Sequence, residues 1–298
     1  MSYKQMKIAL YGLTVNPDFI DELAVLLNLL KEKKIENYIY RPFLEYIQRN
    51  CCLEPEFAGV FENTEDLPED VSFIFSLGGD GTLLKSFLVA QKTSIPLVGI
   101  NSGRLGFLSD ISRDEIEGAL DNIFAGNILI DERTVLELEI VHPDHSEFHY
   151  ALNEITVTKL DSSSMISIHA YMNDEFLNTY WADGLIVATP TGSTAYSLSV
   201  GGPILTPDSQ NFVISPIAPH HLTVRPIVVP DHHSITLRVE GRGLHFLTSV
   251  DSQSEATYFS VLLKIRKASF NVKTIRLKDH SFFSTLRNKL MWGVDKRN

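Results

Sequence analysis

Six residues, Leu77-Gly78-Gly79-Asp80-Gly81-Thr82, hold the most chemically suggestive spacing in the chain. They follow a run that reads as a buried strand, Val71 to Ser76, and lead into Leu83 to Leu88, which reads as the first turns of a helix. Glycines at a strand-to-helix turn let the backbone approach a ligand with no Cβ in the way. Free N–H groups at a helix start favour an anion such as phosphate. A carboxylate in the middle of such a turn repels phosphate unless it binds a metal or takes the proton of an attacking hydroxyl. The turn therefore points to phosphoryl transfer, with an ordinary Asp/Gly turn as the plain alternative.

Three further clusters could join it. Asn101 to Leu108 follows a strand ending at Ile100, where ligands sit in α/β sheets. Asn153-Glu154 is a polar pair in an apolar context, suited to a sugar hydroxyl or a base edge. Asp183 to Ser199 packs glycines and hydroxyls around one aromatic, Tyr196, and Ser215 to His220 forms a second tight loop downstream. Short donors can ring a nucleotide while the aromatic stacks on a ring. Asp183-Gly184 could also be a plain hairpin turn, and Phe107 and Tyr196 could be core aromatics.

These residues need elements to position them. Residues 1–125 alternate strand and helix signals: strands at Ile8 to Tyr11, Tyr38 to Tyr40, Val71 to Ser76 and Ile95 to Ile100, helices at Asp18 to Lys33 and Arg113 to Phe124. That order implies an α/β domain with a parallel, Rossmann-like sheet. Glu54 to Asp70, rich in acids and proline, reads as a surface connection. Over residues 126–280 the apolar residues recur with period two, the pattern of a mainly antiparallel β-sandwich. A short helix is expected near Thr194 to Ser199. Residues 281–298 read as a C-terminal helix returning to the first domain.

With 298 residues the chain is long enough for two domains with full cores. No apolar run approaches a membrane span, and the N-terminus lacks the layout of a secretion signal. The two cysteines, Cys51 and Cys52, are neighbours that rarely meet disulfide geometry, so a reduced, cytoplasmic setting is expected. A net charge of -11 argues against nucleic acid as the main partner. His142, His145 and His149 fall at an expected hairpin tip around Pro143. With no cysteine or carboxylate set evident to complete a zinc-type site, no metal ligands are assigned there. The histidine pairs at 220–221 and 232–233 read as loop residues, and the basic run from Lys264 to Arg297 as a solvated face.

Taken in order, Gly78-Gly79-Asp80-Gly81-Thr82, Asn101 to Leu108, Asn153-Glu154, Asp183 to Ser199 and Ser215 to His220 resemble the motifs of the NAD kinases. These enzymes phosphorylate the 2'-hydroxyl of the adenosine ribose of NAD. The Gly-Gly-Asp-Gly element is shared with lipid kinases and phosphofructokinases, whereas the Thr189 to Ser199 stretch is far more specific. The resemblance implies that Asp80 is the base, that Gly81 lines the NAD site and that Lys85 lies close to the phosphates. It assigns NAD contacts to Phe107, Asn153, Glu154, Asp183, Thr191, Ser193, Thr194, Ala195, Tyr196, Ser197, Leu198, Ser199 and Gln253, with Ala218 reaching in from a neighbouring subunit. It also implies ATP as donor, a divalent cation (Mg2+) and a homodimer or homotetramer. Three positions depart from the family pattern: Ser252 in place of glycine in Val250-Asp251-Ser252-Gln253, His221 in place of a small hydroxyl residue, and Ser102 in place of arginine. A lipid or sugar kinase with the same turn, or a non-catalytic NAD-sensing protein, is the alternative.

Overall fold

The computed structural model describes residues 6–91, 93–103, 105–160 and 164–291. The chain divides into two compact units, Met1–Glu132 with Val272–Asn298, and Arg133–Asn271.

In the first unit, strands β1 (Lys7–Gly12), β2 (Glu36–Tyr40), β3 (Gly59–Phe61), β4 (Val71–Leu77) and β5 (Leu97–Ile100) alternate with helices α1 (Ile20–Glu32), α2 (Arg41–Tyr46), α3 (Asp80–Ala90) and α4 (Ile116–Ala125). The strands pair in parallel, in the order β5-β4-β1-β2-β3. β1, β4 and β5 are almost wholly buried and apolar, as a sheet covered on both faces requires. On α1 the buried positions Leu23, Leu26 and Leu30 recur at helical spacing and join Ile8, Leu10, Phe75 and Val98 in one core. The 54–70 segment carries more structure than a surface connection. Gly59–Phe61 adds the edge strand, pairing with Tyr38–Tyr40, and a capped turn follows at Thr64–Asp66. Its acids and prolines hide a strand of only three residues.

In the second unit come β6 (Ile128–Val141, entering from the first unit), β7 (Ser146–Ala151), β8 (Glu154–Thr158), β9 (Ile166–Met172), β10 (Glu175–Ala182), β11 (Gly184–Ala188), the short helix α5 (Tyr196–Ser199), β12 (Asn211–Ile217), β13 (Ile227–Pro230), β14 (Ile235–Glu240), β15 (His245–Val250), β16 (Gln253–Tyr258) and β17 (Leu262–Leu277, which leads back into the first unit). One antiparallel sheet runs β13-β12-β11-β8-β15-β16, and β10-β9-β14-β17 forms a second layer. Ile168, Leu237 and Leu263 from one layer meet Leu185, Phe212 and Phe246 from the other in a shared core. Asn173 and Asp174 both take positive φ, 48° and 67°, as the two-residue turn between β9 and β10 demands.

The chain ends in α6 (Phe282–Leu290), capped by Ser281 and belonging to the first unit, as expected of the terminal helix; Trp292 and the residues after it lie outside the described range.

Candidate active site

At the end of β4 the chain turns sharply into α3, and a glycine makes the turn possible. Gly78 has φ +155°, and a Cβ there would fall 2.3 Å from Thr82 Oγ1. Gly79 is the N-cap residue, and its carbonyl accepts from the Thr82 and Leu83 amides. Asp80 is thus the first residue of α3, where a negative charge meets the positive end of the helix. The loop after β5 wraps its carboxylate. The backbone N–H of Phe107 donates to Oδ2 at 2.9 Å, and those of Leu108 and Ser109 both donate to Oδ1 at 3.0 Å. Three successive amides make an anion nest. Gly106 allows it, because a Cβ there would sit 1.9 Å from Asp80 Oδ1.

α6 supplies a fourth donor. Lys289 Nζ lies 3.2 Å from Asp80 Oδ2 and 4.5 Å from the centre of the Phe107 ring. The other ring neighbour of Phe107 is Phe282 of the same helix, at 6.3 Å. Phe107 therefore belongs to the packing that seats α6. By contrast, an added Cβ on Gly79 or Gly81 would meet nothing within 4 Å. The fold does not demand glycine at either position, so these two leave the turn open to an incoming group. Lys85, one helical turn beyond Gly81, is exposed on the same side of α3. Asn101 is buried and bridges the neighbouring loop, accepting from the Gly103 amide and donating to the Ser109 carbonyl. Arg104, in the middle of that loop, lies outside the described residues.

The second unit repeats the device. The carboxylate of Asp251 accepts from the amides of Leu152, Asn153 and Glu154 at 2.9, 2.8 and 3.0 Å, and the Asp251 amide donates back to the Glu154 carbonyl. Asp251 takes φ 51° in the two-residue turn between β15 and β16. Ser252 thus completes that turn without the family's glycine, and Gln253 is an exposed first residue of β16. The sequence reading named Gln253 and passed over Asp251. The available signal was an acid at a turn between two strand-like runs, directly before Ser252-Gln253.

The Asn153-Glu154 pair is buried, and both Asn153 Oδ1 and Glu154 Oε2 are shielded from solvent without a hydrogen-bond partner. Unpartnered buried acceptors are costly unless something else fills them. Burial first, and the Asp251 charge second, push the Glu154 carboxyl up to about 8, against a backbone hydrogen bond from Tyr196. Burial also raises Asp251, but its three amides oppose that shift. With three amide donors Asp251 is the better placed of the two to hold the negative charge, and burial favours the neutral form of Glu154.

The Thr189 to Ser199 loop is built against that pair. Thr189 is fully buried: its amide donates to Asn153 O, and its hydroxyl donates to Leu152 O and accepts from the Gly192 amide. Gly192 is required, because a Cβ would fall 2.1 Å from Asn153 O. The hydroxyl of Ser193 donates to Pro190 O and accepts from the Leu205 amide, and Ser197 Oγ lies 2.9 Å from Ser215 Oγ. Ser193, Ser197 and the buried Thr191 therefore shape the loop from inside. Tyr196 (43% exposed) and Ser199 are exposed, with Thr194, Ala195 and Leu198 partly so. Asp183 is not a hairpin turn. Its two flanking strands lie in different sheets, β10 on β9 and β11 between β8 and β12. Its carboxylate pairs with Lys159 Nζ at 2.7 Å, and its amide donates to Ile217 O. Ser215 to Ile217, expected in a loop, are instead the end of β12, paired with Gly184 to Ile186, and Ala218 follows immediately, exposed and at φ 43°, beside the Asp183 corner.

A parallel α/β unit with a Gly-Gly-Asp-Gly turn, joined to a β-sandwich carrying a nested Asn-Glu pair, defines a class of two-domain phosphotransferase. Sequence models of the ATP-NAD kinase N-terminal domain and C-terminal domain match residues 54–128 and 152–277. The chain is 44% identical to an NAD kinase of Cytophaga hutchinsonii and 41% identical to one of Flavobacterium johnsoniae, in each case over 98% of this chain and 100% of the relative. The chain belongs to the NAD kinase family. Among solved structures, an Archaeoglobus fulgidus NAD kinase in complex with ATP superposes with a TM-score of 0.71 at 26% identity, covering 96% of this chain and 99% of that one. Yeast NADH kinase complexed with NADH has the same fold, with a TM-score of 0.86 at 20% identity over 98% of this chain and 89% of that one.

Proposed function

We propose that this member of the family transfers the γ-phosphoryl group of ATP to the 2'-hydroxyl of the adenosine ribose of NAD+, giving NADP+ and ADP. The observation that carries this reading is Asp80: a carboxylate held at the start of α3 by three amides, on a turn whose Gly79 and Gly81 leave open space. Four donors on its two oxygens suit an anion and leave little for a cation to ligate. The divalent ion is accordingly read as arriving on the ATP phosphates, as Mg-ATP.

Lys289, at 3.2 Å, is the longest of the four contacts and sits on a mobile type of side chain, so the ribose hydroxyl is expected to replace it at Oδ2. The hydroxyl proton passes to that oxygen as the new O–P bond forms and the bond from Pγ to the β-phosphate bridging oxygen breaks. Positioning and charge neutralisation supply most of the acceleration in such transfers. Lys85 and the Gly78 to Thr82 turn are assigned to ATP. Asn153, protonated Glu154, Asp183, Tyr196 and the exposed part of its loop are assigned to NAD, with Ala218 contributed by a neighbouring copy in a homodimer or homotetramer. Two free thiols at Cys51 and Cys52 support a reducing, cytoplasmic setting.

The test is to incubate the pure protein with NAD, ATP and magnesium and to assay NADP with an NADP-specific dehydrogenase. NADP formation supports the reading. ATP turnover without NADP would favour a kinase of another acceptor, and NAD binding without turnover a sensing protein.

A further inference from the structure

The β6–β7 hairpin brings together side chains that the catalytic reading does not use. Its register pairs Leu138 with His149 and Ile140 with Glu147, and the His142 amide donates to the His145 carbonyl across Pro143-Asp144. Period-two alternation then puts His142, His145, Glu147 and His149 on one face, the same face that buries Leu138 and Ile140 further down. The sequence reading found no carboxylates to complete a metal site here. The fold supplies two, Glu147 from the hairpin itself and Glu255 from β16.

The distances matter. His142 Nε2 and His145 Nε2 lie 3.5 and 3.2 Å from Glu147 Oε1. His149 Nε2 lies 3.8 Å from Glu147 Oε2 and 3.8 Å from Glu255 Oε1. Most of these are long for hydrogen bonds, and Nε2 of both His142 and His149 is shielded from solvent with no hydrogen-bond partner. Two ligand atoms each about 2.1 Å from one tetrahedral ion stand about 3.4 Å apart. The other nitrogen of His145, Nδ1, lies 2.8 Å from Asp144 Oδ1, the carboxylate contact that orients a ligating imidazole. The His142 and His145 rings are stacked with centroids 4.3 Å apart and planes within 1°, so one ring must turn about its Cβ–Cγ bond before both Nε2 lone pairs point at one ion. A simple imidazolium–carboxylate cluster would account for His145 between Asp144 and Glu147, but it leaves the shielded Nε2 of His142 and His149 unexplained.

We propose that this hairpin face binds a transition-metal ion of the zinc class through His142 Nε2, His145 Nε2 and Glu147 Oε1. Asp144 orients His145, and His149 is placed to supply a further position beside Glu255. Mixed imidazole and carboxylate donors select Zn2+, Co2+ or Ni2+ over the all-oxygen ions Mg2+ and Ca2+. The ion would cross-link the two strands of the hairpin at its tip.

The test uses the full chain, stripped of metal by chelation and titrated with Zn2+ by calorimetry and with Co2+ by visible absorption. Expected are binding with about one ion per chain, a Co2+ d–d band of the four-coordinate type, and Zn2+ affinity reduced by about 10-fold or more in His142→Ala and His145→Ala. Asp144→Asn should weaken binding less, and His220→Ala and His232→Ala should leave it unchanged. Thermal melts in chelator establish that each variant folds, and for any that does not, zinc-induced shifts of the His142 and His145 ring protons in the wild-type protein decide instead. Absence of Zn2+ binding, binding untouched by His142→Ala and His145→Ala, or ring protons of those residues that ignore zinc would each overturn the proposal.

Discussion

Two aspartates do the same physical work at two places in this chain. Asp80 and Asp251 each gather three successive backbone amides and so hold a loop that carries other chemistry. For Asp80 this sharpens what substitution should do. In Asp80→Asn the amide oxygen can still accept from Leu108 and Ser109, but the NH2 group faces the Phe107 N–H. A cost of about 1–3 kcal/mol in stability is expected from that mismatch. Turnover should fall by roughly 10²–10⁴, the usual worth of a general base. Steady-state assays beside a chemical melt separate the two effects, and near-normal turnover would remove Asp80 from the mechanism. Glu154 gives a prediction of a different kind. Its folded carboxyl titrates at about 8, above the ordinary 4.5. Between those values the unfolded chain has released the proton that the folded chain keeps, so the wild type loses stability as pH rises through that window. Glu154→Gln cannot titrate, and its stability should be flatter from pH 5 to 8 by an amount on the order of 1–4 kcal/mol. Parallel denaturation curves at several pH values check this, and superposable slopes would show that Glu154 is ionised throughout.

Among the elements, α6 has the most unexpected role. Sequence periodicity identifies it as a helix, and its capping serine is legible, but its partners are not. Lys289 and Phe282 reach Asp80 and Phe107, roughly two hundred positions earlier in the chain. The turn before α6 is fastened by His280, whose Nδ1 and Nε2 lie 3.3 and 3.2 Å from Asp110 and Glu115. Those two carboxylates, Asp110 above all, raise the imidazole to about 9 against the effect of burial. The folded value is above the unfolded one of 6.5, so the stabilisation is full below pH 6.5 and is lost as pH climbs through about 9. His280→Gln should therefore be less stable than the wild type at pH 6 and approach it at pH 9.5. Because α6 carries Lys289 to Asp80, wild-type turnover should fall further as pH climbs above 8, and His280→Gln should lack that further fall. A His280→Gln protein as stable as the wild type at pH 6 would show that the fastening carries no weight. Other basic residues of the terminal run are likewise engaged, Arg276 with Asp131 and Lys267 with Asp231, so that run is less free than its composition suggests.

For the molecule as a whole, two units with separate cores allow the two substrates to be told apart by linkage. A ligand present at about 100 times its Kd stabilises the folded protein by about 2.7 kcal/mol. NAD and ATP should each raise the melting temperature. Tyr196→Ala should blunt the rise with NAD and spare the rise with ATP, and Lys85→Ala should do the reverse. Equal loss of both in either variant would contradict the assignment of ATP to the α/β unit and NAD to the β-sandwich. Much of this architecture was legible beforehand, because strand and helix periodicity, the Gly-Gly-Asp-Gly turn and the dense Thr189 to Ser199 loop are local patterns written in consecutive residues. The strand-to-helix turn at Gly78 follows from such patterns, whereas they left Tyr196 open between a stacking and a core aromatic, and the structure decided for exposure. What only the tertiary structure decided are the meetings of distant residues: Asp80 with the amides of 107–109, Asp251 with those of 152–154, Glu255 with the histidine hairpin, and the internal role of Ser193. The physical reason is that periodicity reports which face of an element is buried. A nest, an unpartnered acceptor or a ligand cluster depends instead on the fold closing separate segments to within hydrogen-bond distance, and no run of neighbouring residues encodes that closure.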